Sequence, residues 1–422
     1  MTDDFIRVEG TQFMLHGKPY LFTGTNMWSG AYLGAAGPTG RRERLVRELD
    51  MLRAHGITNC RVMASSEGSV LPAAVRPPIL RAPGEVDEDL LCGLDFLLAE
   101  LAGRGMHAVL YLTNFWDWSG GMSSYNAWTD GGAVPAVPGP GTSWEALVGY
   151  TATFYANERA NTLYRSQVER IVERTNTING RMYRDDPAIM AWQLANEPRP
   201  GLSGALGERN LPAFFRWLAE TAAFIHTIDP HHLASTGSEG TEGCLGSDDL
   251  FATAHSDAQI DYLTFHLWPY NWRWFDPHHP DATLAATRER SRAYMRRHGA
   301  LARRLGKPIV LEEFGLTRDR GAVEAGTPTV ARDGFFTFVG DVLLEEMRNG
   351  SPLAGSNFWT WGGEGHAPPA SAAPESTIAA PGDPPHEPQG HNSVYDTDVS
   401  TLAVVREHAR LVDALRRTRE TA

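Results

Sequence analysis

Residues 186–199 read DPAIMAWQLANEPR, and this stretch decides the fold. The apolar run from Ala188 to Ala195 halts at Asn196-Glu197-Pro198. It is too short for a helix before that proline, and apolar enough for a strand buried on both faces. The residue before a proline is pushed out of the helical region, so Glu197 is expected to be extended at the strand end. A carboxylate there is costly unless it is solvated, paired or used. Parallel α/β folds carry their chemistry at the C-terminal ends of their strands.

Seven more strands flank this one. Tyr20 to Thr25, Ile57 to Val62 and Met106 to Leu112 precede it; Leu233 to Thr236, Ile260 to His266, Pro308 to Glu313 and Ala354 to Trp359 follow. Helical patterns alternate with them. One runs from Arg41 to His55, with Leu45, Leu49 and Leu52 on one face and Gly56 as its stop. Others start near Asp87, span Asn157 to Arg174, and cover 247–255, 282–305, 332–348 and 399–416. Asn210-Leu211-Pro212 reads as a cap and early proline opening a helix to Ile228. Eight such units predict a single (β/α)8 TIM-barrel domain over residues 1–422. An N-terminal β-hairpin at 5–18 is expected to plug its bottom. Long loops after strands three (113–150) and eight (366–397) are expected to shape the opposite mouth. A doubly wound sheet is the weaker alternative, since no GxGxxG follows the first strand.

The formal charge of −13 argues against nucleic-acid or anionic-membrane partners. Three cysteines without CxxC spacing imply neither a disulfide framework nor a thiolate metal site. No run reaches transmembrane length. The start, MTDDFIRVEG, lacks the basic and apolar segments of a signal peptide. His231-His232 and His278-His279 lack HExxH spacing, so no metal is expected, and no cofactor.

The polar residues at strand ends share one rim. Arg61 closes strand two, and Asn114 and Trp116 follow strand three. Asn196 and Glu197 end strand four, Glu239 follows strand five, and His266 and Trp268 end strand six. Glu312 and Glu313 end strand seven, and Trp359 ends strand eight. Two carboxyl groups facing each other across a barrel mouth are what glycoside hydrolysis needs, one protonated and one ionised. Glu197 is read as the acid/base and Glu313 as the nucleophile. Arg61 would pair with Glu313 and lower its pKa. Asn196 would bind the sugar 2-hydroxyl, His266 would orient the pair or touch the leaving group, and Trp359 would floor the site. Glu239 is either a sugar ligand or a solvated loop charge. Glu312 competes with Glu313, because neighbours on a strand point opposite ways and only one faces the cleft. Strand pattern alone does not choose between them.

AWQLANEPRP and IVLEEFG resemble the two catalytic motifs of glycoside hydrolase family 5. The segments GTNMWSGAYLG (24–34), LTNFWDWSGGMSSYNAW (112–128), 176–198 and FHLWPYNWRW (265–274) resemble its β-1,4-mannanase-like branch. That resemblance implies Glu197 as acid/base and Glu313 as nucleophile. It also implies retention, with carboxyl groups roughly 5–5.5 Å apart. Many members carry a Tyr two residues after the strand-six His, where this chain has Trp268. An indole N–H donates one bond but neither accepts nor ionises. The expectation is therefore an endo-β-1,4-mannanase acting on β-mannan or manno-oligosaccharides, monomeric, and secreted or periplasmic by family resemblance. Three rivals stay open: an exo-acting mannosidase or mannobiosidase, a cellulase-type β-glucanase, and a carbohydrate-binding barrel without catalysis.

Overall fold

The computed structural model describes residues 4–72, 74–137, 142–202, 204–366 and 382–420. Eight parallel strands form the centre: β1 (Phe22–Asn26), β2 (Asn59–Met63), β3 (His107–Tyr111), β4 (Ile189–Gln193), β5 (Leu233–Ser235), β6 (Leu263–Leu267), β7 (Ile309–Phe314) and β8 (Leu353–Phe358). Their hydrogen-bonded order is β5-β4-β3-β2-β1-β8-β7-β6. A parallel bridge between Ser235 and Tyr262 joins the two ends and closes the ring. Every residue of β4 is buried, as a strand covered on both faces requires. β5 is the shortest strand of the ring, and β6 begins at Leu263 rather than Ile260 because Tyr262 makes only the closing bridge.

Eight helices follow the strands: α1 (Arg42–Ala54), α2 (Glu88–Gly103), α3 (Glu158–Val172), α4 (Gly204–Ile228), α5 (Asp248–His255), α6 (Pro280–Leu305), α7 (Val330–Arg348) and α8 (Val399–Glu420). Three start on side-chain caps, where Asp87, Asn157 and Ser247 accept from the N–H of Leu90, Ala160 and Leu250. One expected start is corrected. α4 opens at Gly204, with Pro212 inside it, rather than at Asn210. Its added first turns press Gly207 against Gly201, and Asn210 turns aside to donate to the Pro200 carbonyl at 2.8 Å. Packing over the mouth overrides the proline signal.

The N-terminal segment is a three-stranded meander of Arg7–Glu9, Gln12–Leu15 and Lys18–Pro19. Its Phe13 is buried, edge-on to Tyr262 at 5.2 Å, at the bottom of the barrel.

The stretch after β3 is not one open loop. It holds two helices, Gly121–Asp130 and Trp144–Ala152. The chain enters the first through Gly120 and Gly121, both at positive φ. A Cβ on Gly120 would lie 1.9 Å from the Glu67 carbonyl oxygen, which is part of the backbone and cannot swing away. Gly120→Ala is expected to destabilise the fold by about 2–3 kcal/mol through left-handed strain and overpacking, measured by urea unfolding. Residues 367–381 of the loop after β8 lie outside the described residues.

Candidate active site

Beyond β4 the chain runs to Asn196, which bridges in parallel to Asn114. Glu197 follows, and its backbone departs from expectation: φ is +50° rather than extended. Three contacts hold it there. Its N–H donates to the Gly237 carbonyl at 2.9 Å, Trp116 Nε1 donates to Oε2 at 2.5 Å, and His266 Nδ1 lies 2.6 Å from Oε1. Such strain costs about 1–3 kcal/mol and persists only where surrounding contacts impose it.

Across the barrel, β7 carries a bulge. Leu311 pairs with Phe265, but His266 pairs with Glu313, so Glu312 is the extra residue. Simple alternation would send one of the two glutamates out of the barrel. With the bulge, both turn inward, at different depths. Glu313 lines the cavity, whereas Glu312 lies beneath it, accepting from Gln193 Nε2 at 2.5 Å.

Arg61 lies mid-strand in β2 and is fully buried. It spans the site, reaching Glu313 at 2.5 Å, Glu312 at 3.3 Å, Gln193 at 2.8 Å and Asn196 at 2.8 Å. His266 Nδ1 is also 3.3 Å from Glu313, so one imidazole sits between both carboxylates. The nearest oxygens of Glu197 and Glu313 lie within 4.8 Å of each other.

The charges distribute unevenly. Burial opposes ionisation of Glu197, but the bond from His266, the charges of His266 and Arg199, and the bond from Trp116 outweigh it and hold it down to about 2. Burial pushes Glu313 up to about 7; His266 and Arg61 oppose this, while Glu197 and Glu312 add to it. Arg61 thus meets Glu313 as expected without keeping its pKa low, because desolvation and two neighbouring carboxylates win. For His266, burial is outweighed by Glu313 and the bond to Glu197, and its pKa rises to about 9. The exchangeable proton of the resting site therefore sits on His266 as well as on Glu313.

A cavity of about 970 Å³ opens above these groups, with Asn196, Glu197, Glu313, Trp116, Trp268 and Trp359 on its floor and sides. Trp268 stands edge-on to Trp359 at 6.0 Å. Arg61, Asn114 and His266 are wholly buried and touch the cavity only through their partners. Asn114, one of the rim residues read as a substrate contact, instead accepts from Asn196 and the Trp116 N–H, donates to Ser119 and does not line the cavity. Asn196 accepts from Arg61 at Oδ1 and donates one Nδ2 hydrogen to Asn114, leaving the other hydrogen for a ligand. Glu239 is not a solvated loop charge. It is buried, ion-paired with Arg199, and on the cavity wall. Arg199 also lies 4.8 Å over the Trp116 ring.

The described part of the loop after β8 walls one side of the cavity. Trp28 donates to the Gly382 carbonyl at 2.8 Å, His386 stacks on Trp118 at 6.3 Å, and His391 meets Tyr270 at 5.0 Å. The loop thus spans the rim from the turn after β3, past β1 and β8, to the turn after β6. Asp383 knots it internally, accepting from the N–H of Gly390 and of Asn392 at 2.9 Å and from Ser393 Oγ at 2.6 Å. Buried Arg332 of α7 pins its far end through the Ser393 carbonyl at 2.7 Å. Exposed Trp144 and Leu202 also line the cavity.

Among the described residues, Glu197, His266 and Glu313 form the group whose atoms could converge on a metal ion. Their donors are already bonded to one another, as proton chemistry requires. His232 spends both ring nitrogens, on Asp229 and on the Asp186 carbonyl.

Residues 3–417 match a family model described as GH family 5 beta-mannosidase-like. The chain belongs to glycoside hydrolase family 5. This family 5 hydrolase superposes on a family 5 mannosidase from Rhizomucor miehei with a TM-score of 0.90 and 34% identity, covering 99% of this chain and 100% of that one. A mutant of the Rhizomucor enzyme, solved with mannosyl-fructose, matches at 33% identity, with the same TM-score and coverage. A putative mannan endo-1,4-β-mannosidase of Arabidopsis thaliana is 30% identical over 99% of this chain and 93% of its own length.

Sequence reasoning about this family 5 hydrolase missed Arg199, Gln193 and Glu387. Arg199 stood in the quoted NEPR motif, but its partner Glu239 is forty positions away and no local pattern links them. Glu387, in HEPQG, lines the cavity from the loop after β8.

Proposed function

We propose that this glycoside hydrolase cleaves β-1,4-mannosidic bonds in mannan or manno-oligosaccharides by retaining double displacement. The observation that carries this is the approach of Glu197 and Glu313 to within 4.8 Å in one cavity. Retaining enzymes hold their carboxyl groups about 5–5.5 Å apart, whereas inverting ones leave about 6.5–9.5 Å for a water. Glu313 attacks the anomeric carbon while Glu197 protonates the departing oxygen, giving a glycosyl-enzyme ester. Water then attacks the ester, Glu197 takes its proton, and Glu313 leaves as carboxylate. The relatives named for mannan and mannosides support mannose as the sugar. Sugar release from β-1,4-mannan and from cellulose, run side by side, tests this. Turnover of cellulose without turnover of mannan overturns it.

Glu197 is ionised in the free site, so its proton comes from His266 across their 2.6 Å bond. Activity then requires Glu313 ionised and one proton on the His266–Glu197 pair. kcat/KM is expected to rise with pH as Glu313 loses its proton at about 7, and to fall as His266 loses its own at about 9. A profile that falls through neutral pH contradicts this placement of the protons.

The names of curated relatives favour endo action. The wall from Trp118 to Tyr270 favours a second reading, attack at a chain end. End-labelled mannohexaose separates the two: products of several sizes at first turnover mean endo action, and one size means exo action.

A further inference from the structure

Glu67 is a buried acid that the chemistry above leaves unused. It follows β2, is fully buried and does not line the cavity. Its side-chain partners all donate, and all are neutral. Ser65 Oγ donates to Oε1 at 3.0 Å, Tyr125 Oη to Oε1 at 3.2 Å, and the Gly121 N–H to Oε2 at 3.0 Å. Burial outweighs these bonds and pushes the carboxyl up to about 7. An acid in so unfavourable a place is costly unless it is used.

What Glu67 holds is the turn that brings Trp116 to Glu197. Residues 114–122 close on themselves: the Met122 N–H donates to the Asn114 carbonyl at 2.8 Å, and Asn114 Nδ2 donates to Ser119 Oγ at 3.1 Å. Glu67 grips the returning limb of this turn with backbone and side chain together. Its N–H donates to the Ser119 carbonyl at 2.7 Å, Gly120 packs on its carbonyl, and its carboxylate takes the Gly121 N–H. Trp116 stands on the other limb, donating its N–H to Asn114 Oδ1 at 3.0 Å and its indole Nε1 to Glu197. The two limbs touch. A Cβ on Gly121 would lie 2.2 Å from the Asn114 carbonyl oxygen and 2.8 Å from that of Trp116. In so close a packing, a shift of the gripped limb moves the other.

Resting on the β-mannoside reading above, we propose that Glu67 is a positioning residue, which acts through the 114–122 turn to hold the Trp116 indole against the acid/base Glu197. It needs an acceptor aimed at Gly121, and it touches no substrate. An acid/base held out of place by a fraction of an ångström loses rate even where the fold is intact.

The test is kcat/KM of Glu67→Met and Glu67→Gln on two substrates, with the thermal midpoint of each variant. Methionine fills the space without an acceptor. Glutamine can turn its carbonyl to Gly121 and its NH2 to the hydroxyls of Ser65 and Tyr125. Glu67→Met is expected to lose about tenfold on mannotriose and no more than about threefold on 2,4-dinitrophenyl β-mannoside, whose leaving group needs little proton help. Glu67→Gln is expected to restore mannotriose activity to within about threefold of the parent. In a Trp116→Phe protein, which already lacks the indole bond, Glu67→Met is expected to cost less than about twofold more. Hydrogen exchange of residues 114–122 is expected to be faster in Glu67→Met than in the parent. Glu67→Asp, whose shorter carboxylate retreats from Gly121, carries the same comparisons if Glu67→Met does not fold. Equal losses on both substrates, equal losses with and without Trp116, no loss at all, or unchanged exchange in the turn would each overturn the proposal. A wild-type protein inert on every β-mannoside is a separate failure. It defeats the substrate reading before any variant is made, and exchange in the turn still decides whether Glu67 holds it.

Discussion

Glu313→Gln is expected to lower kcat by at least about 10⁴-fold while the protein stays folded, because no other group can form the ester. Arg61 keeps its hydrogen bonds to Gln193 and Asn196 in this variant, and the amide oxygen still accepts from it. Loss of activity therefore reports the missing nucleophile rather than a collapsed site. Glu312→Gln serves as the comparison. Glu312 lies below the cavity, bonded to Gln193, and its neutral isostere leaves the attacking carboxylate in place. A much smaller loss of kcat is expected there. If the two variants lose activity equally, the bulge has been misread and the roles of the neighbours are open to exchange. Adding azide to a Glu313→Ala protein supplies a small external nucleophile in the vacated space. An α-configured glycosyl azide is the expected product, since a single displacement inverts the anomeric centre.

Glu197→Gln is expected to reduce kcat/KM on unactivated manno-oligosaccharides by about 10²–10⁴-fold, the usual worth of a general acid. An aryl mannoside with a good leaving group needs little proton help to form the ester. Its first step should survive in the variant, with the ester accumulating because the general base for the second step is missing. The alkaline limb of the pH profile should also vanish, since the proton shared between His266 and Glu197 no longer has a catalytic destination. Equal losses on both substrate types would show that Glu197 does not act on the leaving group.

The barrel was legible because its strands are short apolar runs buried on both faces, punctuated by glycine stops and capped helices. Asp87, Asn157 and Ser247 cap where such residues should. The rim location of Glu197, Glu313, His266 and Trp359 followed from strand ends alone. Four features were not legible, each for a physical reason. Glu312 and Glu313 share the barrel interior because a bulge against β6 breaks the alternation, and a bulge depends on two strands distant in sequence. The left-handed backbone of Glu197 is set by Gly237, Trp116 and His266, none of them sequence neighbours. The high pKa of Glu313 comes from burial and from carboxylates brought in by other strands, which outweigh the arginine that sequence reasoning emphasised. The wall after β8 showed only as a long proline-rich stretch, with no sign that Asp383 would knot it or that His386 would reach Trp118.

Everything in the proposed chemistry passes through one covalent bond to Glu313. The most direct measurement is to trap that intermediate with a 2-deoxy-2-fluoro-mannosyl fluoride, whose fluorine slows hydrolysis of the ester, and to map the labelled peptide by mass spectrometry. The expected result is one fluoromannosyl group per chain, on the peptide spanning Ile309–Phe314 and localised by fragmentation to Glu313. A label on Glu312 or Glu197, or turnover of a manno-oligosaccharide to a product of inverted configuration with no label at all, would contradict it.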